Sequence, residues 1–289
     1  MNTQMLTSKQ GAELISFKVD GKEKIHQGEN CVSEEGRIYW NKQWEILFPN
    51  VGKCKKNQTL INGKTYEMPV DGFIKDMEFE PVSKLDNFHS YKFETNKKLI
   101  DKYPYEFSLL VTYRTYQNTL TTIYKITNEG DVDMPFGIGS KPTFKINLDD
   151  LEKGNYYLEF EEDEDKIHFL YLVDGLVGTE YAKNIMDTKR TIPLNVDTFR
   201  NDAIVVKGLK SKKISLKKKG ISGPILSLNY DGFPYLAIWS KLRAPFISIE
   251  PWMSMPDNVN SSGVFRQKND IILLPPKESY ECRYTVEFY

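Results

Sequence analysis

Apolar and polar residues alternate along much of this chain, and that two-residue rhythm predicts strands rather than helices. The last stretch shows it best. Tyr280, Cys282, Tyr284, Val286 and Phe288 point one way, and Glu281, Arg283, Thr285 and Glu287 the other. This is the pattern of a half-buried strand in an antiparallel sheet. Phe107, Leu109, Val111 and Tyr113 share one face of a second strand. After Tyr116-Gln117-Asn118 the alternation resumes at Leu120, Thr122, Tyr124 and Ile126, which predicts an antiparallel hairpin. Glu13–Val19, closed by the turn Asp20-Gly21, reads as another strand. So do Tyr91–Glu94, Asn155–Glu161, Lys212–Leu216, Pro224–Asn229 and Tyr235–Ser240, with Tyr230–Pro234 as the turn between the last two. Helical character is confined to one turn at Asp149-Asp150-Leu151. Many short strands, frequent turns and no glycine- or proline-rich linker predict an all-β chain, a large β-sandwich occupying residues 1–289 as a single domain.

One stretch stands apart: Pro245-Phe246-Ile247-Ser248-Ile249-Glu250-Pro251-Trp252. Phe246–Glu250 reads as a buried strand, and Pro251, which has no N–H for a sheet ladder, is expected to end it. Glu250 then lies at a strand end beside an aromatic ring. The local pattern allows a rim glutamate that reaches water, or a catalytic or ligand-binding carboxylate on a rigid element.

Charge narrows the choice of function. The 39 basic and 40 acidic residues leave a formal net charge of -1, without the basic excess of a nucleic-acid binder. Cys31, Cys54 and Cys282 form no C-x-x-C pair and no disulfide framework, which fits a reducing, cytoplasmic setting. The start of the chain lacks the pattern of a signal peptide, and no apolar run nears the roughly 20 residues that span a bilayer. No partner membrane, nucleic acid, metal or cofactor is expected, since P-loop, G-x-G-x-x-G and metal-ligand spacings are all missing. No G-x-S-x-G marks a serine nucleophile. His26, His89 and His168 sit in no pattern that marks a site and read as surface or loop residues. The acidic run Glu159–Asp165 and the basic run Lys210–Lys219 read as solvated faces.

Several short segments gain meaning from their order. Leu47-Phe48-Pro49-x-Val51-Gly52 is followed by Gly63-Lys64-x-Tyr66-x-Met68-Pro69, then by Asp71-Gly72-Phe73. Met134-Pro135-Phe136-x-Ile138-Gly139, Asn201-Asp202-Ala203 and Ile249-Glu250-Pro251-Trp252 come next. Together they resemble the aldose 1-epimerase (galactose mutarotase) family, most closely its bacterial LacX-like branch, over nearly the whole chain. The resemblance implies a galactose mutarotase-like β-supersandwich, antiparallel sheets with a concave sugar-binding groove, and a small-molecule sugar as partner. It implies interconversion of the α and β anomers of an aldose by ring opening, which needs a base at the anomeric hydroxyl and an acid at the ring oxygen. It assigns the base to Glu250 and the holding of sugar hydroxyls to Asp202, with Trp252 beside them.

Departures from the family pattern matter as much. Arginine usually follows the Val-Gly pair, where this chain has Lys53. Histidine usually precedes Gly-Phe, where it has Asp71. The second histidine, the expected general acid, precedes proline in the glycine loop, where it has Lys141. Met253 replaces a further histidine of the branch. Lys141 and Asp71 are expected to form an ion pair in place of two histidines, and a lysine kept charged by acids is a proton donor of mismatched strength. Two functions follow as expectations. One is an aldose 1-epimerase-like isomerase with Glu250 as base and Lys141 as acid, substrate contacts coming from Lys53, Asp71, Asp202 and Trp252. The other is a catalytically impaired carbohydrate-binding protein, for which two lysines suggest an acidic or phosphorylated sugar.

Overall fold

A computed structural model describes residues 2–33, 35–200 and 202–289. Among them, two large antiparallel sheets carry the architecture. In the first, nine strands lie side by side. The 107–128 hairpin sits inside it, Phe107–Tyr116 against Thr119–Asn128 around the two-residue turn Gln117-Asn118, next to the terminal strand Ser279–Phe288. The second has seven strands. From one edge to the other they are Leu176–Tyr181, His168–Val173, Ile204–Lys207, Tyr235–Trp239, Phe246–Trp252, Gly139–Lys145 and Trp44–Leu47. The predicted strands Pro224–Asn229 and Tyr235–Ser240, the second observed as Tyr235–Trp239, therefore lie in different sheets, and the Tyr230–Pro234 turn passes from one to the other with the Tyr230 ring buried.

The sheets meet face to face because alternate residues of each strand are apolar. Ile46, Phe144, Ile247, Ile249, Leu236 and Ile238 of the seven-stranded sheet pack against Leu120, Tyr124, Ile126, Tyr284 and Val286 of the nine-stranded one. Polar groups within this layer satisfy one another: Trp44 Nε1 donates to the Tyr284 hydroxyl at 2.6 Å, and Ser140 Oγ meets Tyr284 and Tyr124 at 2.6 and 2.8 Å. Pairing buried polar atoms in this way avoids a penalty of about 1–3 kcal/mol for each orphan. Residues of the opposite parity point away from this core. They form a second, smaller apolar cluster from Leu47, Val205, Tyr235, Ala237 and Trp252, covered by Val51, Val177 and Met255.

Three expectations change. The strand Phe246–Trp252 runs through Pro251 instead of ending before it. Its partner on one side is Gly139–Lys145, where Ile146 and Met253 donate their N–H groups to Pro245 and Ile138. Counting by twos from those bonds puts Pro142 and Pro251 at positions whose N–H would cross the same pair. Neither has one, and no residue between Gly139 and Thr143 pairs there. On the other side Pro251 faces Leu236 in an unbroken register. Proline is tolerated because its nitrogen faces the open part of the ladder.

Second, His26 and His89 are buried. His26 packs tilted against Phe246 at 4.6 Å and bonds the Trp40 carbonyl at 2.8 Å, while His89 meets Thr7 Oγ1 at 2.7 Å. Third, one charged member of the two charge runs is not solvated; the others stay partly exposed, with Lys217 paired to Glu159, Lys213 to Glu161 and Lys210 to Glu162. Within the acidic run Glu164 is buried and accepts the Lys210 and Ser211 N–H groups.

Candidate active site

The interrupted ladder is where the chemistry collects. Extending its register across the gap sets Lys141 opposite Glu250, with Glu45 opposite Lys141 on the next strand and Ala237 opposite Glu250 on the other side. Lys141 and Glu250 occupy a non-hydrogen-bonded pair of an antiparallel ladder, the kind whose side chains lie closer together. Lys141 Nζ stands 3.9 Å from Glu250 Oε1, with 12% of the Lys141 side chain and 3% of the Glu250 side chain exposed. One row across the sheet thus reads acid, base, acid on the face turned away from the main core.

Trp252 completes this centre from two residues along the same strand, where strand geometry returns it to Glu250's face. Its Nε1 donates to Glu250 Oε2 at 3.1 Å. Gly139 lies directly opposite, and a Cβ there would stand 2.9 Å from Trp252 Cδ1. The glycine is what leaves room for the indole beside the Lys141 strand. Ser248, two residues before Glu250 on the same face, donates its hydroxyl to Pro142 O at 3.1 Å and lies close enough to the carboxylate to favour its ionised form.

Burial raises the Glu250 carboxyl to about 7; Lys141 works against that rise, Asp71 adds to it, and Ser248 and Trp252 oppose it. Lys141 moves upward as well. Burial alone would lower it, but Glu250, Asp71, Glu45 and Asp202 outweigh that and keep the ammonium charged. Glu45 is also raised by burial, against the pull of Lys75 and Lys141. The result is a carboxyl poised to exchange its proton near neutrality, beside a fixed cation.

The remaining expected site residues divide. Asp71 is buried at φ 64, and its carboxylate accepts the Gly52 N–H at 2.8 Å while its own N–H returns to Gly52 O at 3.0 Å. It holds the turn that carries Gly52 and contributes charge to the centre, but Lys141 pairs with Glu250 and not with Asp71. The expected Asp71–Lys141 pair is replaced because register brings Glu250 across from Lys141, and Gly52 occupies the Asp71 oxygen. The following residue must be glycine: at Gly72 a Cβ would meet Phe48 O at 2.0 Å, and that carbonyl accepts the Phe73 and Ile74 N–H groups. Lys53 turns to the hairpin tip at Asp174, bonding its carboxylate at 2.7 Å and its carbonyl at 3.0 Å. Asp202 is exposed at φ 104 and caps its own turn through Ala203 N at 2.7 Å; its motif partner Asn201 lies outside the described residues.

Three side chains escaped the sequence reading. Glu45 closes the row from the edge strand, and Trp40 and Trp239 enclose the ammonium, with Nζ 4.8 and 4.1 Å from their ring centroids. Among the described residues no cluster of three or more His, Cys, Asp or Glu is arranged to hold a metal ion, and no helix is long and apolar enough to cross a membrane. A surface cavity of about 560 Å³ lined by Gln4, Leu6, Lys84 and His89 shares no residue with this centre.

Comparison with known proteins identifies the family and the fold. The family described as Aldose 1-epimerase matches residues 2–219. The plasmid-encoded protein LacX of Lactococcus lactis subsp. lactis is 28% identical over 288 residues, covering 96% of this chain and 93% of that protein. A galactose mutarotase-like protein from Lactobacillus casei superposes with a TM-score of 0.88 at 26% identity, covering 100% of this chain and 98% of the other. A galactose mutarotase related enzyme from Lactobacillus acidophilus gives 0.88 at 24% identity, covering 100% and 96%. The fold is the galactose mutarotase-like β-supersandwich, and the similarity to the LacX branch seen in the short motifs holds along the chain.

Proposed function

The protein belongs to the aldose 1-epimerase family, and we propose that it binds an aldose at the Glu45–Lys141–Glu250 row and interconverts its anomers there. One observation carries the reading: Glu250, poised near neutrality, stands 3.9 Å from a cation on the facing strand. That gap is too long for a direct hydrogen bond. It leaves each group free to take one oxygen of an anomeric carbon lying beside the pair, the ring oxygen or the hydroxyl, at about 2.8 Å. Glu250 Oε1 accepts the proton of the anomeric hydroxyl. Lys141 Nζ gives a proton to the ring oxygen as its bond to C1 breaks and the aldehyde forms. Rotation about C1–C2 and closure in the reverse sense return both protons and yield the other anomer. Acid and base thus serve two oxygens of one carbon from neighbouring strands. Glu250 is 3% exposed, so the sugar reaches it past the Lys141 ammonium.

The charge arrangement also bears on the substrate. Of the two lysines, Lys53 is bonded to Asp174, and Lys141 stands among Glu250, Asp71, Glu45 and Asp202. An acidic or phosphorylated sugar meets that surplus of carboxylates, so a neutral aldose is the better match. A second reading, binding without turnover, draws on the same ammonium. Acids that hold its proton make it a weak donor, and a mismatched acid typically costs about 10²–10⁴-fold. Exchange NMR on a panel of neutral aldoses, with calorimetry on the same sugars, separates the readings. Faster anomer exchange than in buffer supports catalysis, and binding heat without faster exchange supports the second reading. Neither effect with any aldose sinks both.

A further inference from the structure

An ammonium and a carboxylate on facing positions of adjacent strands ordinarily close to a charge-assisted bond of about 2.7–2.9 Å. Lys141 and Glu250 stop at 3.9 Å. The ammonium lies instead against two indole faces, 4.1 Å from the Trp239 centroid and 4.8 Å from that of Trp40, both within the reach of cation–π attraction. We propose that Trp40 and Trp239 are positioning residues, a cage that holds the Lys141 ammonium short of Glu250 and leaves both groups free to bond the two anomeric oxygens from one side. The proposal deepens, and rests on, the reading of Glu250 and Lys141 as the acting pair.

The cage is braced as a unit. The Trp40 and Trp239 rings pack edge to face at 5.1 Å and 72°. His26 Nε2–H donates to the Trp40 carbonyl at 2.8 Å, the His26 ring packs tilted against Phe246 at 4.6 Å, and Phe246 packs on Trp239 at 5.6 Å. Phe246 opens the strand that carries Glu250, so both walls are tied to the backbone of the carboxylate they guard. Trp40 Nε1 is buried and finds no hydrogen-bond partner among the described residues. A buried donor left unpaired is costly.

The charged groups acting on Lys141 are Glu250, Asp71, Glu45 and Asp202, and Glu45 also has Lys75 at 3.9 Å. All of them persist when an indole is removed. A shift in the Glu250 titration then reports where the ammonium goes. Without the cage it closes onto the carboxylate, favours the ionised form and weakens the base.

The test compares Trp239→Leu, Trp40→Leu and Trp239→Phe in the full chain. The Glu250 carboxyl is followed by ¹³C NMR, assigned with Glu250→Gln, and folding is checked by circular dichroism. In the leucine variants the titration midpoint falls by at least one pH unit, a tenfold change in proton affinity, while Trp239→Phe stays close to the wild type. Where anomer exchange is measurable, kcat falls and KM changes little. An unchanged or raised midpoint in folded leucine variants overturns the proposal. A second readout requires no cavity: ring currents shift the Lys141 ε-methylene signal of the wild-type protein upfield, identified by its loss in Lys141→Arg. A signal at the position of exposed lysines overturns the cage even if the leucine variants do not fold. No sugar turnover with the upfield signal present sinks the catalytic reading and leaves the cage; turnover without that signal sinks the cage alone.

Discussion

Burial of Glu250 makes a testable link between the site and the stability of the whole fold. The folded protein raises this carboxyl from the usual 4.5 to about 7, so folding favours its protonated form. The sign follows. Below pH 4.5 the group is protonated in both states and costs nothing. Between pH 4.5 and about 7 the unfolded chain ionises first, and stability declines. Above that the loss is complete. At about 1.4 kcal/mol per unit of pKa the loss comes to about 3 kcal/mol, with no discount for solvent because the side chain is 3% exposed. Urea unfolding of the wild type and Glu250→Gln from pH 4.5 to 8 measures it. Glu13, raised by burial, and His26 and His89, lowered by it, titrate in both proteins and cancel in the difference, and Glu45, which shares Lys141 with Glu250, is taken out of it by making both measurements in a Glu45→Gln background. The wild type is expected to lose about 3 kcal/mol more than the variant across this window. Parallel curves would refute the claim that Glu250 is held against its ionised form.

Other parts of the account make separate predictions. Gly139→Ala places a Cβ 2.9 Å from Trp252 Cδ1 and 3.3 Å from Leu47 Cδ1; it should cost about 1–3 kcal/mol in thermal unfolding and weaken sugar binding by tilting the indole off Glu250. Lys53→Met removes a pair whose acid is 87% exposed; stability should change by less than about 1 kcal/mol, and affinity for a neutral aldose, read by calorimetry, should hold. Asp71→Ala leaves the Gly52 N–H without its acceptor and puts alanine at φ 64; about 1–3 kcal/mol of stability should go, measured by urea unfolding.

Much of this arrangement was legible in the sequence. Strict alternation located the 107–128 hairpin and the terminal strand, because a one-residue slip would turn their apolar faces to water. The ordered motifs pointed to Glu250, Lys141 and Trp252, which do converge. What local pattern does not contain is register. That Lys141 faces Glu250 and not Asp71 depends on the pairing of two distant strands, and Pro251 survives inside its strand only because Pro142 and Pro251 share one open edge. Trp40 and Trp239 belong to none of the motifs, and their role comes from the ammonium between them. Glu45 did leave a faint signal, a carboxylate alternating with Trp44, Ile46 and Phe48 in an otherwise apolar run. A lone histidine carries no pattern, so the burial of His26 and His89 was set by Phe246 and Thr7, far away in the chain.

The central claim is that Glu250, beside Lys141, takes the anomeric proton. The rate of anomer exchange of neutral aldoses, followed by NMR from pH 5.5 to 8.5 with the wild type and Glu250→Gln, tests it most directly. Exchange is expected to accelerate as pH rises through about 7 and Glu250 ionises, and to lose about 10²-fold or more in the variant. Acceleration that is flat across this range, or undiminished in Glu250→Gln, would contradict it.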